Sequence, residues 1–545
     1  MLDPNNVASP IPEEPLLAVD EIQGNVAPGF NKPHQSFIAL RIDDVAQAGK
    51  FVRGLAAEVA SMKVVLADRR RYRAVRARLG RAPLPHEHPP VTFIAVALSW
   101  PGMRVLSGNT DDLGSEAFRV GLPERSPLLG DPTDADDPGA PQNWVVGGPE
   151  NIPDVFLTVA SDSDAARDET EARLVKEAQD SGMVVLYREH GDLLLGGLRG
   201  HEHFGFDDGV SQPGVRGLTG VEPPVYLTER TIDAAELPDS LLYGAPGQSL
   251  VWPGEFIFGY PTQTLDPLVP GAPRPCPEWA RNGSLLVFRR YRQDVRLFWD
   301  VMRQEAEALA PQPGFIDVTA VSLAARLVGR WPSGAPYSRV PGGDNTKLGK
   351  EPLAHNNFRF DSDSCPVKLN GGFVDEWPQA KADPIGAVCP LASHIRKVNT
   401  RDSANDVGGT LASFRHRILR RGLPFGDALL RGPIVGDVVP LAKDDPADGD
   451  RGLMFLGYLT SFEDQFEFLR NRWMSNRAAP RSPGGDDLFI GLNGNVGQEG
   501  LRVATLFGAQ LQTQQVATKA AWVVPTGGGY FFAPSISALR GLLGG

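Results

Sequence analysis

"DVFLTVASDSDAARDETEARLVKEAQDSGMVVLYRE", Asp154 to Glu189, is the stretch whose reading decides the fold. It opens on apolar and β-branched residues, the composition of a strand. Ser and Asp residues follow, then a run with apolar residues at helical spacing, then Gly182; these are a helix start, body and stop. "MVVLYRE" (Met183 to Glu189) returns to strand composition. Upstream, "VTFIAVALS" (Val91 to Ser99) and "SFIALRI" (Ser36 to Ile42) read as strands. Between them "DDVAQAGKFVRGLAAEVASM" has an Asp start and helical periodicity. The order β-α-β-β-α-β is the ferredoxin-like split unit, with an antiparallel sheet and both helices on one face.

The same rhythm restarts downstream. "GSLLVFRRY" reads as a strand, "RQDVRLFWDVMRQEAEAL" and "DVTAVSLAARLVGRW" as helices, and "GLMFLGYLTS" as a buried strand before the helix "FEDQFEFLRNRWMS". "GGYFFAPSISALRGLL" reads as strand then helix. The expected fold class is therefore α+β: two ferredoxin-like modules, antiparallel sheets flanked by helices, with long loop insertions. The expected divisions are an N-terminal module over 1–220, a Pro/Gly-rich crossing segment over 221–275 that holds an edge strand in "GEFIFGYP", and a C-terminal module over 276–545. A loop-rich insertion, 331–383, has no role assigned by its sequence.

A chain of 545 residues is long enough for two packed units, and 41% hydrophobic with 22% charged residues is globular. With 54 basic against 66 acidic side chains the balance argues against nucleic acid and anionic membrane as partners. Three cysteines, Cys276, Cys365 and Cys389, make neither a disulfide framework nor a zinc pattern, which points to a reducing compartment. "MLDPNNVASPIPEEPLL" lacks the basic and apolar regions of a signal peptide, and no apolar run would span a bilayer. The expected location is cytoplasmic.

The chemistry gathers in three places. "GFDDGVSQP", Gly205 to Pro213, sets two adjacent carboxylates between glycines. "CPLASHIRKVNTR", Cys389 to Arg401, places His394 among apolar residues with bases on the following turn; the side chain is either an ordinary buried histidine or an axial haem ligand with arginines toward the propionates. "RHRILRRGLPFG", Arg415 to Gly426, holds five bases, either a basic helix end or an active-site guanidinium. Peroxide activation at haem needs a base to move a proton between the two oxygens and a cation for the departing one. A carboxylate on a stiff glycine-flanked turn suits the first task.

At this point the chain resembles the dye-decolorising (DyP-type) haem peroxidases, in their larger bacterial subclass. "GFDDG" matches that family's GxxDG signature. "EIQGNVAPGFNKPHQSFIALRI", "PGEFIFGYP", "GSLLVFRRYRQDV", "CPLASHIRKVNTR", "ILRRGLPFG", "GLMFLGYLTSFEDQFEFLRNRW" and "YFFAPSISALRGLL" are similar to successive family blocks in the expected order. The resemblance implies haem b (iron protoporphyrin IX) as cofactor, with hydrogen peroxide and phenolic or anthraquinone-type electron donors as substrates. It implies Asp208 as the distal acid, Asp207 as a helper of the turn, Arg420 as the distal arginine and His394 as the proximal iron ligand. Arg401 is implied as a propionate contact, with His203 as a second. Leu453 and Phe455 are implied as apolar cover of the distal face, and Asp487, in "GGDDLFIG", as the carboxylate behind the proximal imidazole. The chain departs from the family at "NTR", where "NPR" is common, and at Phe425, where some members have tyrosine. Trp473 stands as either a substitute site for surface oxidation of bulky dyes or a packing residue.

Two other readings use the same residues. "HEH" occurs at His86 to His88 and at His201 to His203, and HxH with carboxylates can hold a non-haem metal. A haem carrier would keep His394 and leave Asp208 and Arg420 structural.

Overall fold

The computed structural model describes residues 13–541 except 85, 109, 222–223, 267, 445–448, 483, 492–499 and 509–510. Its N-terminal strands are β1 (His34–Ile42), β2 (Thr92–Leu98), β3 (Val155–Ser161) and β4 (Met183–Asp192). They pair antiparallel in the order β4-β1-β3-β2, with Ile38 opposite Leu157 and Val96 opposite Leu157 on the other side. This is the order of the ferredoxin-like unit. Helix α1 (Val45–Leu55) is capped by the Asp44 side chain, which accepts from Gln47 N. It is followed by α2 (Met62–Leu79), which the sequence reading, ending its helix at Met62, did not include. Helix α3 (Asp164–Asp180) starts at Ser163, whose side chain accepts from Ala166 N.

The second half repeats the layout with β5 (Ser284–Gln293), helices α4 (Val295–Leu309), α5 (Ala320–Val328) and α6 (His394–Val398), short strands β6 (Leu419–Arg420) and β7 (Leu423–Phe425), and β8 (Gly452–Leu459). A hairpin of β9 (Arg502–Phe507) and β10 (Thr513–Thr518) precedes the last strand, β11 (Val523–Ala533). The two halves form one nine-stranded sheet, β6-β8-β5-β11-β2-β3-β1-β4 with β7 on β8; they join where Phe532 of β11 pairs with Leu98 of β2. At the far end β4 lies against β7, where a Cβ on Gly191 would meet Pro424 O at 3.3 Å, so the sheet curls back on itself.

Period-two alternation builds the core. Ile38 and Leu40 pack with Val52, Leu55 and Leu174 beneath the helices, while Phe37 and Ala39 face the space enclosed by the sheet. There Phe156 meets Phe288 and Phe531 at ring-centroid distances of 4.6 and 5.1 Å. On β8, Met454 and Leu456 enter that same core, so Leu453 and Phe455 point the other way. "GEFIFGYP" is not an edge strand: Pro253–Glu255 is a 3₁₀ turn, and Phe256, Ile257 and Phe258 are buried beyond it. Gly254 explains the departure, because a Cβ there would meet Tyr260 O at 2.2 Å. Among the described residues no helix is long and apolar enough to cross a membrane.

Candidate active site

The outward face of β8 looks into a cavity of about 340 Å³. Asp208, Arg420, His394, Arg401, Leu453 and Phe455 all line it. The walls come from the loop after β4, from α6, from β6 and β8, and from the helical segment 462–474.

Asp208 sits on a turn tied at several points. Its N–H donates to Gly200 O at 2.9 Å, and the N–H of Asp207 donates to Pro332 O at 2.9 Å. The Glu202 carboxylate accepts from Phe204 N at 2.8 Å and Phe206 N at 2.9 Å, closing the turn from inside. Gly205 has φ +98°, and a Cβ there would lie 2.7 Å from Leu430 Cδ1, so only glycine fits. Asp207 turns outward to the Lys350 ammonium, at 2.7 Å.

Arg420 is held on a strand pair opposite Gly457. Its Nη2 donates to Ser211 O at 2.7 Å, and Nη1 lies 3.5 Å from Asp208 Oδ1. Gln212 reads the Arg420 backbone in both directions, its amide donating to Arg420 O and its Oε1 accepting from Arg420 N, each at 3.2 Å. Acid and guanidinium are thus adjacent.

His394 opens α6, and its Nδ1 lies 2.7 Å from Asp487 Oδ2. Asp487 is fully buried. Burial alone would raise its carboxyl; the His394 imidazole and the N–H groups of Phe489 and Ile490 outweigh burial and hold it below the ordinary carboxylate range. An ionised carboxylate only accepts, so Nδ1 carries the proton and Nε2 is the nitrogen with a lone pair. Gly329, with φ +94°, lets α5 end against this helix: a Cβ there would lie 2.3 Å from Ile395 Cγ1.

Three buried arginines line the same cavity. Burial, together with repulsion from Arg401, pushes Arg330 down to about 9. It pushes Arg401 and Arg417 down to about 10. Their hydrogen bonds go to carbonyls, Asn356, Asn399 and Ser413, and to no carboxylate. Arg401 also lies over the Phe358 ring, 3.6 Å from its centroid. Buried cations with no carboxylate hydrogen-bond partner among the described residues suit an anionic ligand at this end of the cavity.

The DyP dimeric alpha+beta barrel domain model matches residues 21–193. The dye-decolorizing peroxidase msp1 of Mycetinis scorodonius is 29% identical over 97% of this chain and 88% of its own length. The multifunctional dye peroxidase DyP2 of an Amycolatopsis species is 27% identical over 97% of both chains. The structure of an ancestral D-type dye decolorizing peroxidase superposes with a TM-score of 0.73 at 28% identity, over 97% of this chain and 100% of that one. Over nearly all of its length the chain is similar to dye-decolorising peroxidases.

The structure departs from the sequence reading at His203 and decides two alternatives that the sequence left open. His203 does not line the cavity: its Nε2 lies 2.8 Å from Phe425 O, and burial pushes the imidazole down to about 4, so it is neutral and unsuited to a propionate. Trp473 is fully buried, with its indole N–H donating to Asp406 Oδ1 at 2.8 Å, and is a packing residue of the 462–474 helix with no surface of its own. Neither HxH pair forms a metal set; among the described residues the group of three metal-type ligands is Asp168, Glu171 and His190, and Arg167 already occupies Asp168 at 2.7 Å. Sequence reasoning missed Glu202, Arg330 and Asn356. The run "FGFDDGVSQP" left Glu202 just outside it, and the two others owe their places to contacts distant in sequence.

Proposed function

We propose that the protein is a haem peroxidase that reduces hydrogen peroxide and oxidises phenolic or anthraquinone-type donors by one-electron steps, with haem b bound in the cavity. The observation that carries this reading is one cavity lined by an imidazole braced by a buried carboxylate and by an adjacent acid–guanidinium pair. The residues fit the cofactor. His394 Nε2 would ligate iron, Arg401 with Arg330 and Arg417 would face the propionates, and Leu453 and Phe455 would cover the macrocycle. The chemistry such a group supplies when bound is O–O cleavage at iron and storage of two oxidising equivalents.

The chain's own residues do the rest. The Asp208 carboxylate takes the proton from the near peroxide oxygen and returns it to the far one. The anchor of Arg420 on Ser211 O aims Nη1 at the same space, where the guanidinium stabilises negative charge on the departing oxygen. Asp487 keeps the His394 proton on Nδ1 and raises the basicity of Nε2. Leu453 and Phe455 keep water off that face. A related dye-decolorizing peroxidase structure, 26% identical with a TM-score of 0.69, holds 2,6-dimethoxyphenol, which supports phenols as a donor class here.

The test is stopped-flow mixing of haem-loaded protein with peroxide. Asp208→Asn and Arg420→Ala keep the Soret band and slow the peroxide-dependent spectral change by about 10²–10⁴-fold. An Asp208→Asn variant reacting at the parental rate contradicts the assignment; retained haem with no turnover in the parent protein would make it a carrier.

A further inference from the structure

The insertion 331–383 packs on the distal turn and on the buried arginines, and one side chain touches both. Asn356 is 7% exposed. Its Nδ2 donates to Val210 O at 2.9 Å, on the turn that carries Asp208. Its Oδ1 accepts from Arg330 Nη2 at 2.6 Å and lies 3.5 Å from Arg401 Nη2. Its backbone carbonyl accepts from Arg401 Nη1 at 3.0 Å. The amide orientation follows from the partners: cations take the oxygen and a carbonyl takes the nitrogen. Gly247 lets the backbone approach, because a Cβ there would lie 1.8 Å from Asn356 O.

We propose that Asn356 is a positioning residue, supplied by the insertion, that locks the turn of the distal acid to the arginines at the cofactor's anionic edge. The proposal rests on the peroxidase reading for its catalytic consequence and on geometry for the coupling. Propionates held by Arg401 fix the guanidinium pair; the pair orients the Asn356 oxygen; the opposite end of the same rigid amide holds Val210 O, two residues past Asp208. Binding of the cofactor therefore stiffens the turn that handles peroxide. Only an amide does this at the site, since it alone among side chains of this size donates at one end and accepts at the other.

The experiment uses the full-length, haem-loaded protein with Asn356→Asp and Asn356→Leu. Asp keeps the arginine contacts and sets an oxygen against Val210 O; Leu loses the side-chain contacts at both ends. Hydrogen exchange should quicken in 205–213 and stay parental in 394–401 for Asn356→Asp, and should quicken in both segments, with faster haem loss, for Asn356→Leu. The bimolecular peroxide rate of Asn356→Asp should fall about 10–100-fold while KM for a phenol holds, because small misplacements of a catalytic group are costly. Parental protection of 205–213 in Asn356→Asp overturns the proposal, as does equal loosening of both segments in that variant. Asn356→Asp carries the test should Asn356→Leu fail to fold. A parent protein inert to peroxide would defeat the peroxidase reading, and the exchange comparison would still decide the coupling.

Discussion

Asp487→Asn removes one charge and almost no volume, and its effect can be worked from the contacts. The carboxylate accepts from His394 Nδ1 at 2.7 Å and from Phe489 N at 2.9 Å. An asparagine keeps its oxygen on the Phe489 N–H, which turns its amide nitrogen toward the imidazole. Two donors then face each other, and the imidazole relieves this by moving its proton to Nε2, the nitrogen that must ligate iron. A hydrogen bond to a charged partner contributes about 1.5–3 kcal/mol. At about 1.4 kcal/mol per tenfold, haem affinity falls about 10–100-fold. The assay is titration of the apoprotein with hemin, followed at the Soret band, with the ferric/ferrous potential measured on the loaded variant. The potential should rise, because the less basic imidazole stabilises ferric iron less. Parental affinity together with parental potential would refute the reasoning.

Other consequences follow from single groups. Burial, with the Asp208 charge adding to it, pushes the Glu202 carboxyl up from 4.5 to about 7. The folded protein therefore binds this proton more tightly than the unfolded chain does. The associated stability is full below pH 4.5 and is lost as pH rises through about 7, at most about 3 kcal/mol. Glu202→Gln should flatten that part of the melting-temperature profile between pH 4.5 and 7; an unchanged slope would exclude Glu202 as its source. Gly329→Ala forces a side chain into φ +94° and against Ile395, so it should cost about 1–3 kcal/mol in denaturant unfolding and weaken haem binding. Parental affinity in that variant would show that α5 does not set the position of α6.

Much of this was legible in sequence, and the exceptions have physical causes. The alternation in β1 and the caps of α3 gave the first module, because side-chain period and cap chemistry are local. The fusion of the two sheets was not legible: it depends on edge backbone groups near Leu98 and Phe532, which leave no mark on residue pattern. The apolar run 254–261 looked like a strand because a short buried run has the same composition in a turn. Asp208, Arg420, His394 and Asp487 stood out through motifs and lie together in the structure. Arg330 follows α5 and Asn356 lies on the insertion; both reach the site only through the folded chain, so no spacing rule finds them. His203 had the right chemistry but the wrong side of the loop, behind Phe425.

The measurement closest to the central claim is the absorption spectrum of hemin-loaded protein before and after one equivalent of peroxide, in the parent and in His394→Ala. The account predicts a Soret band in the parent that shifts rapidly with peroxide and is restored by a phenol, and no comparable ligated-haem spectrum in the variant. A parental spectrum in His394→Ala, or a parent whose bound haem ignores peroxide, would contradict it.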